Sequence, residues 1–259
     1  MKIIGCIKQV PGFTEVKINP ETNTLMREGV EAIINPFDMY AMEEGLRLRE
    51  KHGGTVTVLS MGPPQVETAL REALSYGTDE AVMVSDKAFA GSDTLATSSV
   101  LAAAVRALGG ADILLMGWQA IDGDTGQVGP ETEENLGMAH ITEIMMIEGI
   151  DGGVITLRRM VENGYVRLCT ALPVLMTVFK EINESRPASF KGKLKARQEA
   201  VKHLGIGDLG LNADLAGLSG SPTRVMKIFS LPKPKGGKVF DGEPKTAVAA
   251  LLEEMKKRE

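Results

Sequence analysis

Short runs of β-branched and other apolar residues alternate with longer amphipathic stretches from Lys2 to Gly137. In each longer stretch the apolar residues recur at helical spacing, so every short run is followed by a helix before the next run begins. This alternation is typical of a parallel sheet that is covered by helices on both faces. The sequence therefore predicts an α/β fold with a doubly wound, mostly parallel sheet.

Four strands are expected in this part of the chain, at residues 2–10, 55–60, 80–84 and 112–116. The pair Asn35-Pro36 and the run Gly62-Pro63-Pro64 mark helix starts that come soon after strands. Doubly wound folds bind their ligands beyond the carboxyl ends of the strands. The loops after these strands are thus the expected place for a binding site.

Beyond Gly137 the pattern changes to short strand-like runs at residues 141–147, 154–161, 165–170 and 174–179. We interpret them as an antiparallel extension of the same domain, spanning about 140–180, with a hairpin turn at Asn163-Gly164. Residues 1–205 then form the ligand-binding domain. Residues 206–259 form a C-terminal arm, rich in Gly and Pro and ending in a helix at about 243–257, that lies against a partner.

Composition excludes several classes of function. The net charge of −5 gives no general reason to bind nucleic acid, and no segment reaches the roughly 18 apolar residues of a membrane span. The apolar run at the N-terminus is too short for a signal peptide, so we expect a soluble, cytoplasmic protein. The two cysteines and three histidines lack ligand spacing, and no metal site is expected.

The segment 117–132, Gly-Trp-Gln-Ala-Ile-Asp-Gly-Asp-Thr-Gly-Gln-Val-Gly-Pro-Glu-Thr, is the most informative. It follows a predicted strand and precedes a helix that Pro130 opens in its first turn. Its glycines let the backbone approach a ligand, and free amides at the helix start suit a phosphate. Asp122 and Asp124 would repel a phosphate, so they are expected to hold backbone amides or a sugar hydroxyl. An Asx-rich connecting turn is the alternative.

This segment resembles the signature loop of the electron transfer flavoprotein beta subunit. Further motifs agree in order and spacing along the whole chain: Lys8-Gln9-Val10-Pro11, Asn35-Pro36-Phe37-Asp38 with Glu43-Glu44, Met61-Gly62-Pro63-Pro64, and Leu172-Pro173. The resemblance implies an adenine-nucleotide alpha hydrolase-like sheet and a heterodimer with an alpha subunit that carries a redox-active FAD. The beta subunit itself would hold either AMP or a second FAD.

The resemblance also implies which residues contact the cofactor. They are Cys6, Asn35, Phe37, Asp38, Met61, Asp122, Gly123, Asp124, Thr125, Gly126, Gln127, Val128, Gly129 and Thr132. Cys6 could equally be an ordinary buried strand residue, and Asn35 could simply cap its helix. No side chain is assigned a catalytic role, because a flavin would carry out the redox chemistry.

The segment 90–97 resembles the form found in the electron-bifurcating branch of the family, and it adds Asp93, Thr94 and Thr97 to the expected contacts. Ser92 or Asp93 as a helix cap would explain it equally well. On the resemblance we expect FAD, with AMP as the alternative. Bifurcation would use NADH as donor and ferredoxin or flavodoxin as one acceptor. The second acceptor, reached through the alpha-subunit FAD, would be an acyl-CoA dehydrogenase or another flavin dehydrogenase.

A basic segment at residues 186–197, within a docking region of about 184–200, contains no acidic residue. It resembles the family's recognition loop, with Phe190 as the apolar anchor and Lys191, Lys193 and Lys195 around it. An exposed aromatic ringed by cations suits a short-lived complex, whereas burial of Phe190 in the core is the alternative. One position departs from the family pattern: Val166 stands where an inter-subunit carboxylate or amide is expected, so that contact is not carried over.

Two other functions remain open on the residues alone. One is an adenine-nucleotide-binding enzyme or sensor of the same fold, and the other is a scaffold whose loop is only structural. A nucleotide-cleaving enzyme should have a Gly-rich loop directly after its first strand, where this chain has Val10-Pro11-Gly12-Phe13.

Overall fold

The computed structural model describes residues 1–12, 17–18, 25–26, 32–227 and 236–257. These residues divide into two units. The first comprises residues 1–17 and 26–226, and the second comprises residues 18–25 and 227–259. The second unit contains the C-terminal helix. Within the described residues, no helix has the length and apolar character needed to cross a bilayer.

The strands are β1 (Lys2–Cys6), β2 (Gln9–Pro11), β3 (Lys17–Ile18), β4 (Leu25–Met26), β5 (Ala32–Ile34), β6 (Thr55–Met61), β7 (Glu80–Val84), β8 (Ile113–Gly117), β9 (Ala139–Asp151), β10 (Val154–Val161), β11 (Gly164–Ala171), β12 (Val174–Val178) and β13 (Val201–Leu204). The helices are α1 (Pro36–His52), α2 (Glu67–Tyr76), α3 (Thr94–Ala107), α4 (Val128–Leu136), α5 (Phe190–Gln198), α6 (Ile206–Leu209) and α7 (Pro244–Lys256).

Nine strands form the main sheet in the order β11-β10-β9-β12-β8-β1-β6-β7-β13. In this order, the seven strands from β9 across the sheet to β13 are all parallel to their neighbours. β10 and β11 add an antiparallel hairpin at the β9 edge. The expected doubly wound, mostly parallel α/β sheet with an antiparallel extension is thus confirmed. Two predicted strands, 80–84 and 154–161, have the observed bounds.

Alternate strand residues face opposite layers, because side chains switch sides at each step along a strand. Ile3 and Ile113 pack with Leu46 of α1, whereas the adjacent Ile4 and Leu114 pack with the residues of α3 on the other face. Helices α1 and α2 therefore cover one face of the sheet, and α3 and α4 cover the other. Both layers are anchored in fully buried strands.

The extension is shorter than expected. Strand β12 was predicted to belong to it, but β12 pairs in parallel with β8 and β9 inside the main sheet. The hairpin turn also lies one residue earlier than predicted, because Val161 pairs with Gly164 and leaves Glu162 and Asn163 in the turn. Hydrophobic alternation alone does not distinguish a parallel strand from an antiparallel one.

The first predicted strand, 2–10, is two strands. The chain leaves the sheet after Cys6, and Gln9–Pro11 pairs instead with Ala32–Ile34 in a separate two-stranded sheet. Between them, the amide of Lys8 donates to the carboxylate of Asp38 at 2.7 Å. A side chain thus replaces the neighbouring strand as hydrogen-bond partner where the chain turns away.

Residues 201–226 belong to the first unit rather than to a separate arm. β13 adds a parallel edge strand beside β7, and Ile206, Leu209 and Ala216 pack against the core on the α3 side. Residues 206–226, which were predicted to begin the arm, therefore lie in the first unit. The predicted C-terminal helix is observed as Pro244–Lys256.

Candidate functional site

The candidate site lies where the winding of the sheet reverses. From β1 the chain adds β6 and then β7 on one side, and it returns to place β8 on the other side of β1. In open parallel sheets the crevice at such a switch point, beyond the carboxyl ends of the strands, binds ligands. Here the loops that follow Cys6 and Gly117 border that crevice. The candidate residues 122–127 lie in the loop that follows Gly117.

Asp38 joins the two loops that border the crevice. Its buried carboxylate accepts hydrogen bonds from the amides of Lys8 at 2.7 Å and Gly117 at 3.1 Å. Burial raises the pKa of Asp38 to about 7, although these amides, Asn35 and the charge of Lys8 oppose the rise. Gly117 has no room for a side chain, because a Cβ there would lie 2.4 Å from Oδ1 of Asp38. Asp38 therefore holds the walls of the site together.

Asn35 fixes the signature loop from the same side. Its side chain is fully buried, donates to the carbonyl of Gln119 at 2.9 Å and accepts from the amide of Ile121 at 3.1 Å. The side chain makes no helix-capping hydrogen bond to α1. The simple capping role considered for Asn35 is therefore wrong. Its side-chain amide thus supplies the hydrogen-bond partners for backbone groups of a loop that lies more than 80 residues away in the sequence.

The two aspartates of the loop point to partners within the protein. Asp122 forms an ion pair with Lys8, with Nζ at 2.7 Å and 2.8 Å from its two oxygens. Asp124 accepts a hydrogen bond from the side chain of Gln119 at 2.9 Å. The expected backbone amides are not their partners: Asp122 binds the ammonium of Lys8 and Asp124 the side-chain amide of Gln119. These contacts neutralise negative charge that would oppose a phosphate.

The loop then presents a run of free donors. Among the described residues, the amides of 125–129 have no hydrogen-bond acceptor within the chain. Asp124 and Gly126 have positive φ values of 50° and 63°. Backbone that alternates between right- and left-handed conformations forms a concave nest of amides, and the start of a helix adds a positive partial charge. The segment is therefore suited to an anionic group.

Gly129 sets how closely this helix start approaches the sheet. A Cβ at Gly129 would lie 2.6 Å from Cγ2 of Thr177 on β12. Thr132 is fully buried one turn later, and its hydroxyl donates to the carbonyl of Val128 at 2.6 Å. The first turn of α4 is thus pressed against the strand layer, while Gly123 lies in open space.

The start of α3 lies beside the start of α4. Asp93 caps α3 through the amide of Ala96 at 3.0 Å, and its other oxygen accepts from the amide and the hydroxyl of Thr223. The hydroxyl of Thr94 donates to Oε1 of Glu131 at 3.1 Å. Thr97 follows on the same helix and is half-buried. The capping explanation for Asp93 is confirmed. One of its oxygens caps α3, and the other binds Thr223.

The remaining expected contacts lie around these walls. Cys6 is buried at the end of β1, where burial and the nearby charge of Asp38 raise the pKa of its thiol. Met61 ends β6 and is half-buried. The ring of Phe37 lies edge-on to Trp118, with centroids 5.6 Å apart, and packs with Phe179. Phe37 therefore supports the loop through Trp118.

The basic segment forms a separate surface. Phe190 is the first residue of α5 and 79% exposed, and the exposed Leu194 follows one turn later. Lys191 and Lys193 are exposed beside them, while Nζ of Lys195 lies 3.5 Å from the carbonyl of Thr78. Burial of Phe190 in the core, the alternative considered for it, is wrong.

The segment before α5 is held by charged contacts that the sequence did not reveal. Arg186 contacts the buried carboxylate of Glu43 through its amide at 3.2 Å and its Nε at 2.8 Å, and it also pairs with Glu50. Asn183 donates to Glu44 at 3.0 Å. Although burial opposes ionisation, hydrogen bonds from Arg186 and Arg47 hold the pKa of Glu43 below its usual value. Glu43 and Glu44 are consecutive residues of α1, and only the fold shows their partners.

The fold and this crevice place the chain in the doubly wound α/β class, whose members bind ligands at the switch point. A model of the electron transfer flavoprotein domain matches residues 22–208. The chain is 46% identical over its whole length to an electron transfer flavoprotein subunit beta from Thermoanaerobacterium thermosaccharolyticum, covering 99% of that protein. It therefore belongs to the electron transfer flavoprotein family, as a beta subunit.

Two further relatives have other names. The chain is 43% identical to the caffeyl-CoA reductase-Etf complex subunit CarD of Acetobacterium woodii, over 97% of this chain and 96% of that protein. It is 44% identical to protein FixA of Azorhizobium caulinodans, over 100% of this chain and 95% of that protein. The resemblance inferred from the sequence motifs is thus confirmed.

Proposed function

We propose that this chain binds FAD at the crevice between β1 and β8 as part of a heterodimeric electron transfer flavoprotein in the cytoplasm. Its partner is an alpha subunit with its own FAD. NADH supplies the electrons, which are divided between ferredoxin or flavodoxin and, through the alpha-subunit FAD, a dehydrogenase such as an acyl-CoA dehydrogenase. AMP in place of the second FAD, without bifurcation, is the alternative.

The amides of residues 125–129, which have no acceptor in the described part of the chain, carry this proposal. A phosphate or pyrophosphate supplies the acceptors that these donors lack, and the positive end of α4 favours its charge. Gly126, at a φ of 63°, and Gly129, pressed against Thr177, keep the backbone in this shape. The residues present therefore fit a nucleotide.

The choice of FAD over AMP is supported by the second helix start. Thr94 of α3 lies within hydrogen-bond distance of Glu131 of α4, so two helix N-termini border the same part of the site. A dinucleotide has a second half to be held beyond the first phosphate, and α3 offers polar groups for it. A bound flavin supplies the redox chemistry, while this chain binds and orients it.

Cofactor content tests the proposal. We would co-express the chain with its alpha subunit, purify the heterodimer and measure the nucleotides that denaturation releases. Two FAD per heterodimer supports the proposal, one FAD with one AMP supports the alternative, and one FAD without a second nucleotide contradicts both. Reduction of ferredoxin by NADH only when a high-potential acceptor is also present would then demonstrate bifurcation.

A Gly126→Val variant assigns one cofactor to this chain. The positive φ of Gly126 is strained for a β-branched residue, so the variant should lose one nucleotide and keep the FAD of the alpha subunit. Gly149→Val, in β9 and outside the site, is the matched control, because a Cβ there meets nothing within 4 Å. Full retention in the Gly126→Val heterodimer would show that the nucleotide is held elsewhere.

We also propose that α5 docks on the dehydrogenase. Phe190 and Leu194 form an exposed apolar pair, and Lys191 and Lys193 surround it with positive charge. Such charge speeds encounter, while a buried aromatic anchor holds the complex. Lys191→Glu with Lys193→Glu should slow electron delivery to the dehydrogenase and leave the cofactor content unchanged. Lys202→Glu, on the exposed edge strand β13, is the control.

A further inference from the structure

One carboxylate oxygen of Glu131 has no hydrogen-bond partner among the residues that the structure describes. Its Oε1 accepts a hydrogen bond from the hydroxyl of Thr94 at 3.1 Å, whereas Oε2 is buried and receives no hydrogen bond from the described residues. Buried polar atoms nearly always have partners, because an unsatisfied one costs about 1–3 kcal/mol. Such an atom beside a candidate binding site indicates a donor that arrives with the ligand.

The surroundings of Glu131 show what kind of donor fits. Burial and the nearby charge of Asp93 raise the pKa of Glu131, and the contact with Thr94 opposes that rise. The hydrogen bond from Thr94 to Oε1 fixes the orientation of the carboxylate, and this also fixes the position of Oε2. Glu131 lies one turn after Gln127, whose carbonyl accepts from the amide of Glu131 at 3.0 Å. Glu131 thus lies at the start of α4, directly after the amides of residues 125–129.

We propose that Glu131 is a specificity residue of the nucleotide site, and that its Oε2 accepts a hydrogen bond from a hydroxyl of the bound ligand. This inference rests on the proposed binding of a nucleotide at residues 125–129. The hydroxyl belongs either to the ribose of the adenosine or to the polyol chain of FAD. A carboxylate suits a hydroxyl donor and repels a second phosphate, so it selects a sugar or polyol at this point.

Ligand binding to the purified chain, freed of nucleotide, tests the inference. Trp118 is the single tryptophan and lies in the signature loop, so its fluorescence reports binding there. AMP, 2′-deoxy-AMP and FAD would each be titrated against the wild-type chain, Glu131→Ala and Glu131→Gln, with equilibrium dialysis as a second readout. Glu134→Ala is the matched control, since Glu134 is exposed on the same helix.

Glu131→Ala should weaken the binding of the ligand that supplies the hydroxyl by roughly ten- to a hundredfold, as expected for a hydrogen bond to a charged group. Glu134→Ala should bind as the wild type does. If the polyol is the donor, only FAD is affected. If the ribose 2′-hydroxyl is the donor, AMP and FAD are both affected, and 2′-deoxy-AMP already binds weakly to the wild type.

Three controls separate the inference from its alternatives. Thr94→Val removes the contact that orients Glu131 and should produce a smaller loss of the same ligand's affinity. Thermal unfolding without ligand shows whether the Glu131→Ala variant is folded. If that variant is unfolded, Glu131→Gln takes its place, because glutamine has nearly the same shape as glutamate. Unchanged affinities in both Glu131 variants would overturn the inference. Failure of the wild type to bind any of the three ligands would instead refute the proposed function.

Discussion

Replacing Asn35 by Ala should release the signature loop from α1. The variant removes a hydrogen bond of 2.9 Å to the carbonyl of Gln119 and one of 3.1 Å from the amide of Ile121. Each hydrogen bond contributes about 1 kcal/mol, and an unsatisfied buried partner costs about 1–3 kcal/mol. Gln119 and Ile121 are half-buried, so water satisfies them in part. We therefore expect a loss of about 2–3 kcal/mol in the free energy of unfolding.

Urea unfolding followed by Trp118 fluorescence measures this loss, because Trp118 lies next to Gln119. The affinity for nucleotide should fall as well, since the amides of residues 125–129 follow the released segment. Asn163→Ala, at the exposed turn between β10 and β11, is the control and should change stability by no more than about 0.5 kcal/mol. If Asn35→Ala matches this control in both stability and affinity, the side chain does not hold the loop.

Two further predictions concern packing and charge. Gly129→Ala should lower the free energy of unfolding by about 1–3 kcal/mol, because its Cβ would lie 2.6 Å from Cγ2 of Thr177. Gly123→Ala is the control, since a Cβ there meets nothing within 4 Å. Equal urea midpoints for the two variants would be inconsistent with tight packing of α4. Arg186→Ala should destabilise the chain by about 2 kcal/mol, since the buried Glu43 would then keep Arg47 as its one ion-pair partner among the described residues. The pKa of Glu43 is lowered in the folded state. Its ionised carboxylate therefore stabilises the fold fully above the unfolded pKa of about 4.3, and this stabilisation is lost as the pH falls through the folded pKa. The difference between Arg186→Ala and the wild type should therefore shrink on acidification, and a difference that stays constant in urea titrations at several pH values would exclude this role for Glu43.

Sequence pattern predicted the elements that are buried on both sides. Glu80–Val84 and Ile113–Gly117 are continuous apolar runs inside the parallel sheet, and their positions were predicted to within a residue. Strand pairing was less accessible, because alternation of apolar residues does not show which strand is the neighbour. β12 was assigned to the antiparallel extension for this reason, although it pairs in parallel with β8.

The site was predictable as a loop but not as a set of contacts. The glycines and Pro130 indicated a phosphate-binding helix start, and the motifs indicated the family. The partners of that loop lie far away in the sequence: Lys8 contacts Asp122 across 114 residues, and Thr94 contacts Glu131 across 37. No local pattern encodes such a pair. The fold is needed to show that Asn35 holds the loop and that no described residue donates to Oε2 of Glu131.

A crystal structure of the heterodimer with its nucleotides bound would test the central claim most directly. The account predicts that phosphate oxygens of the nucleotide in this chain lie within hydrogen-bond distance of the amides of residues 125–129. A nucleotide whose phosphates lie elsewhere, with these amides bonded to the protein or to water alone, would contradict it.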